Sequence, residues 1–301
     1  MSSIEIYKYP LGKGAFGEVF LGRLKDSKTL IAVKRESKKT EQISVLVHEN
    51  HIIQRLNLSI AFWEDRNYYY MAMPLHGPSL DSLQKNHNGR FSLKTCLFLG
   101  INMISIIEKC HNQGILHRDI KPANFLIDYH LPHKHIYLID FGLAKSCIQP
   151  NGKHIPFQTK VQRVGSLRYM SKYVHKALES SYRDDIYSIG YVLIYLFLND
   201  LPWRASVKDL NMIEKHKKIL ALKEKISNSR LVYKLICDKC NNPTCSFIKC
   251  MLKYFDYADS LEFGQTVNYN IIISWFNECL TSHGFKAIDG INSSIEWDWI
   301  H

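Results

Sequence analysis

HRDIKPANFLI at residues 117–127 and DFGLAK at residues 140–145 are the stretches that decide the fold of this 301-residue chain. The first follows the apolar tripeptide GIL and the second follows the strand-like IYLI, so that Asp140 comes twenty-one residues after Asp119. Either aspartate alone could be a turn or helix-cap residue. Both strings in this order and at this separation instead predict that side-chain oxygens of Asp119, Asn124 and Asp140 converge on one site.

Such a convergence of oxygen atoms suits the transfer of a phosphoryl group. In-line transfer requires a carboxylate that orients the attacking hydroxyl and a divalent metal that neutralises the charge of the phosphates. We therefore predict that Asp119 orients the acceptor hydroxyl and that Asn124 and Asp140 hold Mg²⁺. Lys121 is placed to stabilise charge that develops on the moving phosphoryl group. His117 is expected to pack and form hydrogen bonds as a structural residue.

Three glycines near the N-terminus, Gly12, Gly14 and Gly17, form a G-x-G-x-x-G string. Glycines let the backbone approach phosphates without side-chain collision. The string alone is a weak signal, because dinucleotide-binding folds use it at the start of a helix. Here the residues from Glu18 to Leu21 have an extended pattern, which favours a loop folded over the phosphates of ATP.

A lysine in a β-branched strand completes the predicted catalytic set. Lys34 ends the string IAVK, and its ammonium could reach the α- and β-phosphates of ATP if a carboxylate held it in place. Glu49, fifteen residues further on, is the candidate partner. Taken alone, Lys34 would be interpreted as a solvated surface lysine. With the other strings present, we predict Lys34, Glu49, Asp119 and Lys121 as catalytic residues.

The distribution of secondary-structure signals predicts an α+β fold of two lobes. Alternating or β-branched runs at residues 18–23, 30–34 and 68–73 predict strands, and one helix over residues 40–56 interrupts them. The apolar residues of that helix are Val45, Val47, Ile52, Ile53 and Leu56. From Ser92, a predicted N-cap, to a stop at Gly114 the pattern is helical, as it mostly is thereafter. We predict a single domain over residues 1–301, with an antiparallel β-rich N-lobe (1–73), a hinge (74–79) and a mostly α-helical C-lobe (80–301).

Composition and charge restrict the classes of protein and partner. The net charge of +11 attracts anionic partners, but basic residues are scattered without a single-sign tail, which disfavours nucleic acid as the partner. The N-terminus lacks a signal sequence, and the longest apolar stretch, around residues 187–198, is too short to cross a bilayer, so no membrane partner is expected. Eight cysteines are too sparse for a disulfide scaffold. We expect reduced thiols and an intracellular protein of the cytoplasm, the nucleus or both.

Further strings give the chain a family likeness. HGPSLDSL (76–83), RFSLKT (90–95) and RDDIYSIGYVLIYLFLNDLPW (183–203), together with the two stretches quoted first, resemble the casein kinase I family of eukaryotic protein kinases. Where most protein kinases carry Ala-Pro-Glu after the activation segment, GSLRYMSKYVH (165–175) is similar to this family's replacement. The resemblance spans nearly the whole chain. It implies a bilobal kinase fold and a monomeric serine/threonine protein kinase that uses ATP and Mg²⁺.

The resemblance also assigns the nucleotide site. It implies that Met73 guards the back pocket, that the backbone of the hinge residues Pro74 and His76 meets adenine, and that apolar side chains cover the adenine ring. Proline is unusual at residue 74 but keeps the carbonyl that this contact uses. The implied ATP-binding residues are Leu11, Gly12, Lys13, Gly14, Ala15, Phe16, Gly17, Glu18, Val19, Ala32, Lys34, Met73, Pro74, Leu75, His76, Leu126 and Ile139.

The family's substrates imply a cationic recess near the acceptor site. Members favour serine or threonine that follows acidic or already phosphorylated residues, and Arg168 stands at a matching position. Lys215 is the second candidate, although the segment around it looks longer than in the family. Arg118 and Lys145 resemble another basic pair, with Val161 where a third cation would be expected. Because bidentate Arg contacts are stronger and more directional, Arg168 is the preferred reader of a phosphorylated substrate.

Four other interpretations stay open. A pseudokinase scaffold would be expected to lack Lys34, Asp119 or Asp140, and none is missing. A nucleic-acid-binding protein would agree with the charge, but no base-stacking motif or recognition helix supports it. A relative of the vaccinia-related kinases would carry out the same reaction. Cys237, Cys240, Cys245 and Cys250 could begin a zinc site, but their irregular spacing favours free buried thiols.

Overall fold

An antiparallel β-sheet forms the N-terminal part of the chain. The computed structural model describes residues 4–14, 17–38, 44–87, 89–132, 135–204, 207–226, 246–288 and 297–300. The strands are β1 (Ile4–Gly14), β2 (Gly17–Leu24), β3 (Leu30–Ser37), β4 (Ala61–Glu64) and β5 (Tyr68–Pro74). They pair in the order β1-β2-β3-β5-β4. The three strands predicted from the sequence are confirmed as β2, β3 and β5.

One helix, α1 (Val45–Arg55), lies between β3 and β4 in the sequence and packs on this sheet. Ser44 caps it, because its hydroxyl accepts the N–H of Val47 at 3.1 Å. The residues that α1 buries are Leu46, Glu49, Asn50, Ile52 and Ile53. Val47 was predicted to belong to the apolar face but is 40% exposed, because the buried stripe runs through Leu46 instead.

Helices dominate the rest of the chain. In order they are α2 (Leu80–Asn86), α3 (Leu93–Asn112), α4 (Lys172–His175), α5 (Tyr182–Leu198), α6 (Met212–Ile226), α7 (Ser246–Ser260) and α8 (Tyr269–Ser282). Short strands β6 (His76–Ser79), β8 (Phe125–Asp128) and β9 (Ile136–Leu138) form one small sheet, and β7 (Ile115–Leu116) pairs with β10 (Lys145–Ser146). The predicted α+β architecture, with a β-rich N-lobe and a helical C-lobe, is confirmed.

The helical core is built around α3 and α5, which pack on each other. Ser92 caps α3, as predicted, because its hydroxyl accepts the N–H of Thr95 at 3.2 Å. Gly114 follows the helix with a positive φ of 65°, a conformation that suits glycine. Every residue of α5 except Phe197 is buried, which explains its almost continuous apolar sequence. No helix among the described residues combines the length and the apolarity that crossing a bilayer requires.

Candidate functional site

The first cluster of site residues links the N-terminal sheet to the region of Asp140. Lys34 projects from β3, and its Nζ lies 2.6 Å from Glu49 Oε2 on α1 and 3.2 Å from Asp140 Oδ1. The other Glu49 oxygen, Oε1, accepts the backbone N–H of Phe141 at 3.0 Å. The Lys34 and Glu49 side chains are only 11% and 3% exposed. One buried carboxylate therefore fixes the lysine and the segment after Asp140 together.

The charge of Lys34 follows from this environment. Burial alone disfavours the ammonium, but Glu49 and Asp140 more than offset that effect and raise the pKa of Lys34 above its ordinary value. The side chain is therefore a fixed cation at neutral pH. A buried, oriented ammonium of this kind can bind the phosphates of a nucleotide.

The second cluster surrounds Asp119, whose side chain is buried. Its Oδ1 accepts the backbone N–H of Ser166 at 2.8 Å, and its Oδ2 lies 2.5 Å from Lys121 Nζ. Asn124 Nδ2 donates to the Asp119 carbonyl at 2.9 Å, which closes the loop on itself. The carboxylate is thus oriented from two sides, and Lys121 is close enough to exchange that contact for an incoming phosphate.

Asp185 on α5 holds the loop that carries Asp119. Its Oδ2 accepts the N–H of His117 at 2.8 Å and its Oδ1 accepts the N–H of Arg118 at 2.9 Å, while His111 Nε2 lies 3.0 Å from Oδ2. Burial favours the neutral acid, but these hydrogen bonds and the two histidines keep the pKa of Asp185 below its usual value. The bound carboxylate can stabilise the positive φ of 65° at Arg118. His117 is wholly buried beside Phe141, in line with the structural role predicted for it.

A backbone hydrogen bond ties together the chain segments of Asn124 and Asp140, the two residues predicted to hold Mg²⁺. The Asn124 carbonyl accepts the N–H of Ile139 at 3.0 Å, so the residue that precedes Asp140 is attached to Asn124. Among the described residues, neither Asn124 Oδ1 nor Asp140 Oδ2 has a hydrogen-bond partner. An amide and a carboxylate oxygen fit Mg²⁺, which usually takes its other ligands from phosphates and water. The described part of the chain contains no group of three or more His, Cys, Asp or Glu side chains that could hold a metal ion.

The Gly-rich hairpin joins β1 to β2. Its residues Leu11, Gly12, Lys13 and Gly14 are exposed, whereas Ala15 and Phe16 lie outside the described residues. Gly17 has a φ of 130°, and a Cβ there would lie 2.2 Å from the carbonyl oxygen of Arg35, so that only glycine fits. Glu18 accepts a hydrogen bond from Arg35 at 2.7 Å, which lowers the pKa of Glu18 and ties the hairpin to β3.

A cavity of about 410 Å³ lies between the hinge and Asp140. The predicted site residues in its lining are Glu49, Met73, Pro74, Leu75, His76, Ile139 and Asp140. Val19, Ala32 and Leu126 do not line this cavity, although Ala32 pairs with Met73 across the sheet. Pro74 is the last residue of β5, where its missing N–H interrupts no further pairing. The His76 ring stacks on Tyr137 with 4.2 Å between the ring centroids.

The two residues predicted to read substrate anions lie in different surroundings. Arg168 is half-buried, and its guanidinium lies over the rings of Tyr195 and Tyr169, with 5.4 and 5.8 Å to their centroids. This stacking fixes the planar group. Lys215 is on α6, and no described contact joins it to Arg168. The structure therefore supplies a guanidinium held by two rings, and the role of Lys215 stays a prediction.

The second basic pair is already engaged within the chain. Lys145 Nζ lies 2.9 Å from Glu179 Oε1, and Arg118 Nε donates to the Leu143 carbonyl at 2.7 Å. Val161, where the resemblance led us to expect a cation, lies beside this segment, and its N–H bonds to the Ala177 carbonyl at 3.0 Å. Lys145 is therefore paired with a carboxylate, whereas the Arg118 contact is to a neutral carbonyl.

The cysteine cluster can be followed only in part. Cys237, Cys240 and Cys245 lie outside the described residues. Cys250 is a buried free thiol on α7, and its Sγ donates to the Trp275 carbonyl at 3.5 Å. This part of the cluster agrees with the predicted buried thiols.

Two contributors to the site escaped sequence reasoning. The Ser166 N–H that binds Asp119 belongs to the backbone, so no side-chain pattern could have indicated it. Lys223, on α6, is fully buried beneath residues 167–170. The same helix carries four other lysines, and such a run of charges is typical of a solvated helix face.

The geometry agrees with a family comparison. The family model described as "Protein kinase domain" matches residues 7–258. That range contains both clusters described above and the hairpin, the hinge and the cavity between them. Since the match covers most of the chain, the chain belongs to the protein kinase domain family.

Proposed function

We propose that this chain is a serine/threonine protein kinase of the casein kinase I type. It transfers the γ-phosphoryl group of ATP to hydroxyls that follow acidic or phosphorylated residues. Membership of the kinase family implies ATP as donor and protein as acceptor. The single observation that carries the proposal is the buried Asp119 carboxylate, which Ser166 N–H and Lys121 bind. Hydrogen bonds through Asn124 and Ile139 connect its loop to the Lys34–Glu49–Asp140 cluster.

The reaction needs one bond to break and one to form. The acceptor hydroxyl oxygen bonds to the γ-phosphorus while the bond from that phosphorus to the bridging oxygen of ADP breaks, and the hydroxyl proton passes to Asp119. Ser166 N–H keeps one Asp119 oxygen oriented, so the other can face the acceptor. Lys121 would leave Asp119 and neutralise charge on the transferred group.

Lys34 and the hairpin would hold the nucleotide, and Asn124 with Asp140 would hold Mg²⁺. When bound, the metal neutralises charge on the phosphates. Lys34 keeps its position through Glu49, so its ammonium can contact phosphate without losing its carboxylate partner. The hinge carbonyl at Pro74 accepts a hydrogen bond as well as any other residue's, because proline lacks only the N–H.

The preference for acidic or phosphorylated substrates rests on Arg168. Its guanidinium is oriented by two aromatic rings, and its backbone carbonyl accepts a hydrogen bond from Trp203 Nε1 at 2.9 Å. An oriented guanidinium binds a phosphate with two parallel hydrogen bonds. The net charge of +11 also attracts acidic segments.

Transfer of labelled phosphate from ATP to paired peptides tests the proposal. One peptide carries phosphoserine three residues before the target serine and the other carries serine there. We expect faster labelling of the phosphorylated peptide, and Arg168→Ala should remove that preference. Equal rates for both peptides would reject the preference for phosphorylated substrates while leaving the kinase assignment.

Asp119→Asn tests the reaction itself. The amide cannot accept the proton, so turnover should fall by about a thousandfold or more, while nucleotide binding stays unchanged. Lys217→Asn, at an exposed lysine on α6, is the matched control. Undiminished transfer by the Asp119 variant would contradict its assigned role.

A further inference from the structure

Lys223 is a fully buried lysine far along the chain from the ATP site, with 0% exposure. Its Nζ donates to the Met170 carbonyl at 2.5 Å, reaches the Leu167 carbonyl at 3.4 Å, and lies 3.1 Å from His175 Nε2. Burying an amine without partners costs several kcal/mol. The two carbonyls therefore supply the hydrogen bonds that make this position tolerable.

The contacts to the two carbonyls do not depend on the charge of the amine. Burial lowers the pKa of Lys223. An ammonium would donate to both carbonyls and to His175, whereas a neutral amine would donate to both carbonyls and accept from His175. Only the tautomer of His175 differs between the two states. Arg163, His216 and Lys223 all face His175, and together with burial they lower its pKa to about 2, so it stays neutral.

The segment that Lys223 holds, residues 165–171, also has a second attachment. Trp203 Nε1 donates to the Arg168 carbonyl at 2.9 Å. Carbonyls 167, 168 and 170 are thus bound by two side chains that reach the segment from its buried side. Such side-chain bonds replace the secondary structure that the segment lacks.

At its other end the same segment contacts the catalytic loop. Ser166 donates its N–H to Asp119 Oδ1 at 2.8 Å, and the Ser166 carbonyl accepts the N–H groups of Tyr169 and Met170 at 2.9 and 3.0 Å. A Cβ on Gly165 would lie 2.2 Å from the Arg118 carbonyl oxygen, so the segment lies directly against the loop. One tight turn therefore connects the Lys223 contacts to the Asp119 contact.

We propose that Lys223 is a positioning residue for phosphoryl transfer: it fixes residues 165–171 as the wall beside which the acceptor peptide lies and keeps the Ser166 N–H on Asp119. This inference rests on the proposed kinase function. The ATP contacts of Lys34 and Asp140 come from other elements, so losing the Lys223 bonds affects the protein acceptor and leaves ATP binding intact.

Lys223→Met tests this inference, because methionine keeps most of the stem and removes the donors. We expect the KM of this variant for the protein or peptide acceptor to be at least tenfold higher than that of wild type, and its kcat to be severalfold lower. Its KM for ATP should stay within twofold of wild type. Lys217→Met, on an exposed position of the same helix, should change none of these. A Lys223→Met enzyme whose acceptor KM and kcat match wild type would overturn the inference, as would equal losses in the acceptor and ATP parameters.

Two further measurements keep the inference separate from the proposed function. Trp203→Phe removes the bond to the Arg168 carbonyl while keeping an aromatic ring, and it should reproduce the acceptor-specific rise in KM even if Lys223→Met does not fold. Hydrogen exchange needs no activity: the amides of Tyr169 and Met170 should exchange at least tenfold faster in either variant than in Lys217→Met. Unchanged exchange overturns the inference, whereas wild-type protein that labels no acceptor overturns only the kinase proposal.

Discussion

Replacing Glu49 with Gln removes one charge from the proposed ATP site and leaves the volume of the side chain unchanged. Glu49 lies 2.6 Å from Lys34 Nζ and also accepts the Phe141 N–H, whereas Asp140 lies 3.2 Å from the same ammonium. With an effective dielectric constant of about 20, the gross attractions to Glu49 and Asp140 are about 6 and 5 kcal/mol. The variant therefore loses about half of the attraction that holds Lys34.

The net free-energy cost of Glu49→Gln is smaller than the lost attraction, because the neutral amide does not carry the desolvation penalty of the buried carboxylate. Breaking a buried pair costs about 3–5 kcal/mol, and the remaining Asp140 contact places this case at the lower end, about 3 kcal/mol. Lys34 then turns towards Asp140 and away from the phosphates. If this energy appears in the transition state, kcat/KM for ATP should fall about a hundredfold.

Steady-state kinetics and thermal unfolding of the purified variant measure this effect. Glu64→Gln is the control, since Glu64 pairs with Lys38 at 2.7 Å but is 57% exposed and should lose little. A Glu49→Gln enzyme within fivefold of wild type at an unchanged Tm would refute the reasoning, because Asp140 alone would then suffice to place Lys34.

Two other perturbations have outcomes that the structure fixes. Gly17→Ala places a Cβ 2.2 Å from the Arg35 carbonyl oxygen at a positive φ and should destabilise the protein by about 2 kcal/mol. Gly12→Ala is the control, because a Cβ there meets nothing within 4 Å and should leave Tm unchanged. Equal Tm values for the two variants would contradict this prediction. Because the pKa of His175 falls to about 2 in the folded protein, the unfolded chain binds the extra proton below pH 6.5, so stability falls as the pH drops. At about pH 5 this loss is about 2 kcal/mol, and His175→Gln should show a correspondingly smaller loss between pH 7 and 5 in denaturant unfolding. Parallel pH profiles would mean that His175 is protonated in the fold.

The sequence predicts the residues of the chemistry better than it predicts their supports. Lys34, Asp119 and Asp140 stand in short strings whose spacing is dictated by the geometry of phosphoryl transfer, and a short chain of hydrogen bonds connects them in the structure. The pairing of Lys34 with Glu49 could also be predicted, because a carboxylate among the apolar residues of a helix requires a buried partner. These features depend on local sequence alone.

The features that were not predicted depend on tertiary context. No residue of β1 is fully buried, and its pairing with β2 is irregular between Ile6 and Gly12, so no period-two apolar pattern marks this strand. Lys223 sits in a lysine-rich helix, and nothing local distinguishes it from its solvated neighbours. Its burial is decided by carbonyls and aromatic rings that are distant in the sequence.

The contacts that hold the site residues in place form two sets, and both sets reach the Asp-Phe-Gly segment. Glu49 binds Lys34 and the Phe141 N–H, so a movement of α1 would displace Lys34 and the residue next to Asp140 together. The contacts of Asp119 all come from the catalytic loop and residues 165–171, whose own supports are Asp185, Trp203 and Lys223. A shift of α1 would therefore displace Lys34 while leaving the Asp119 carboxylate in place. The supports of Lys34 and those of Asp119 are, on these contacts, structurally separable.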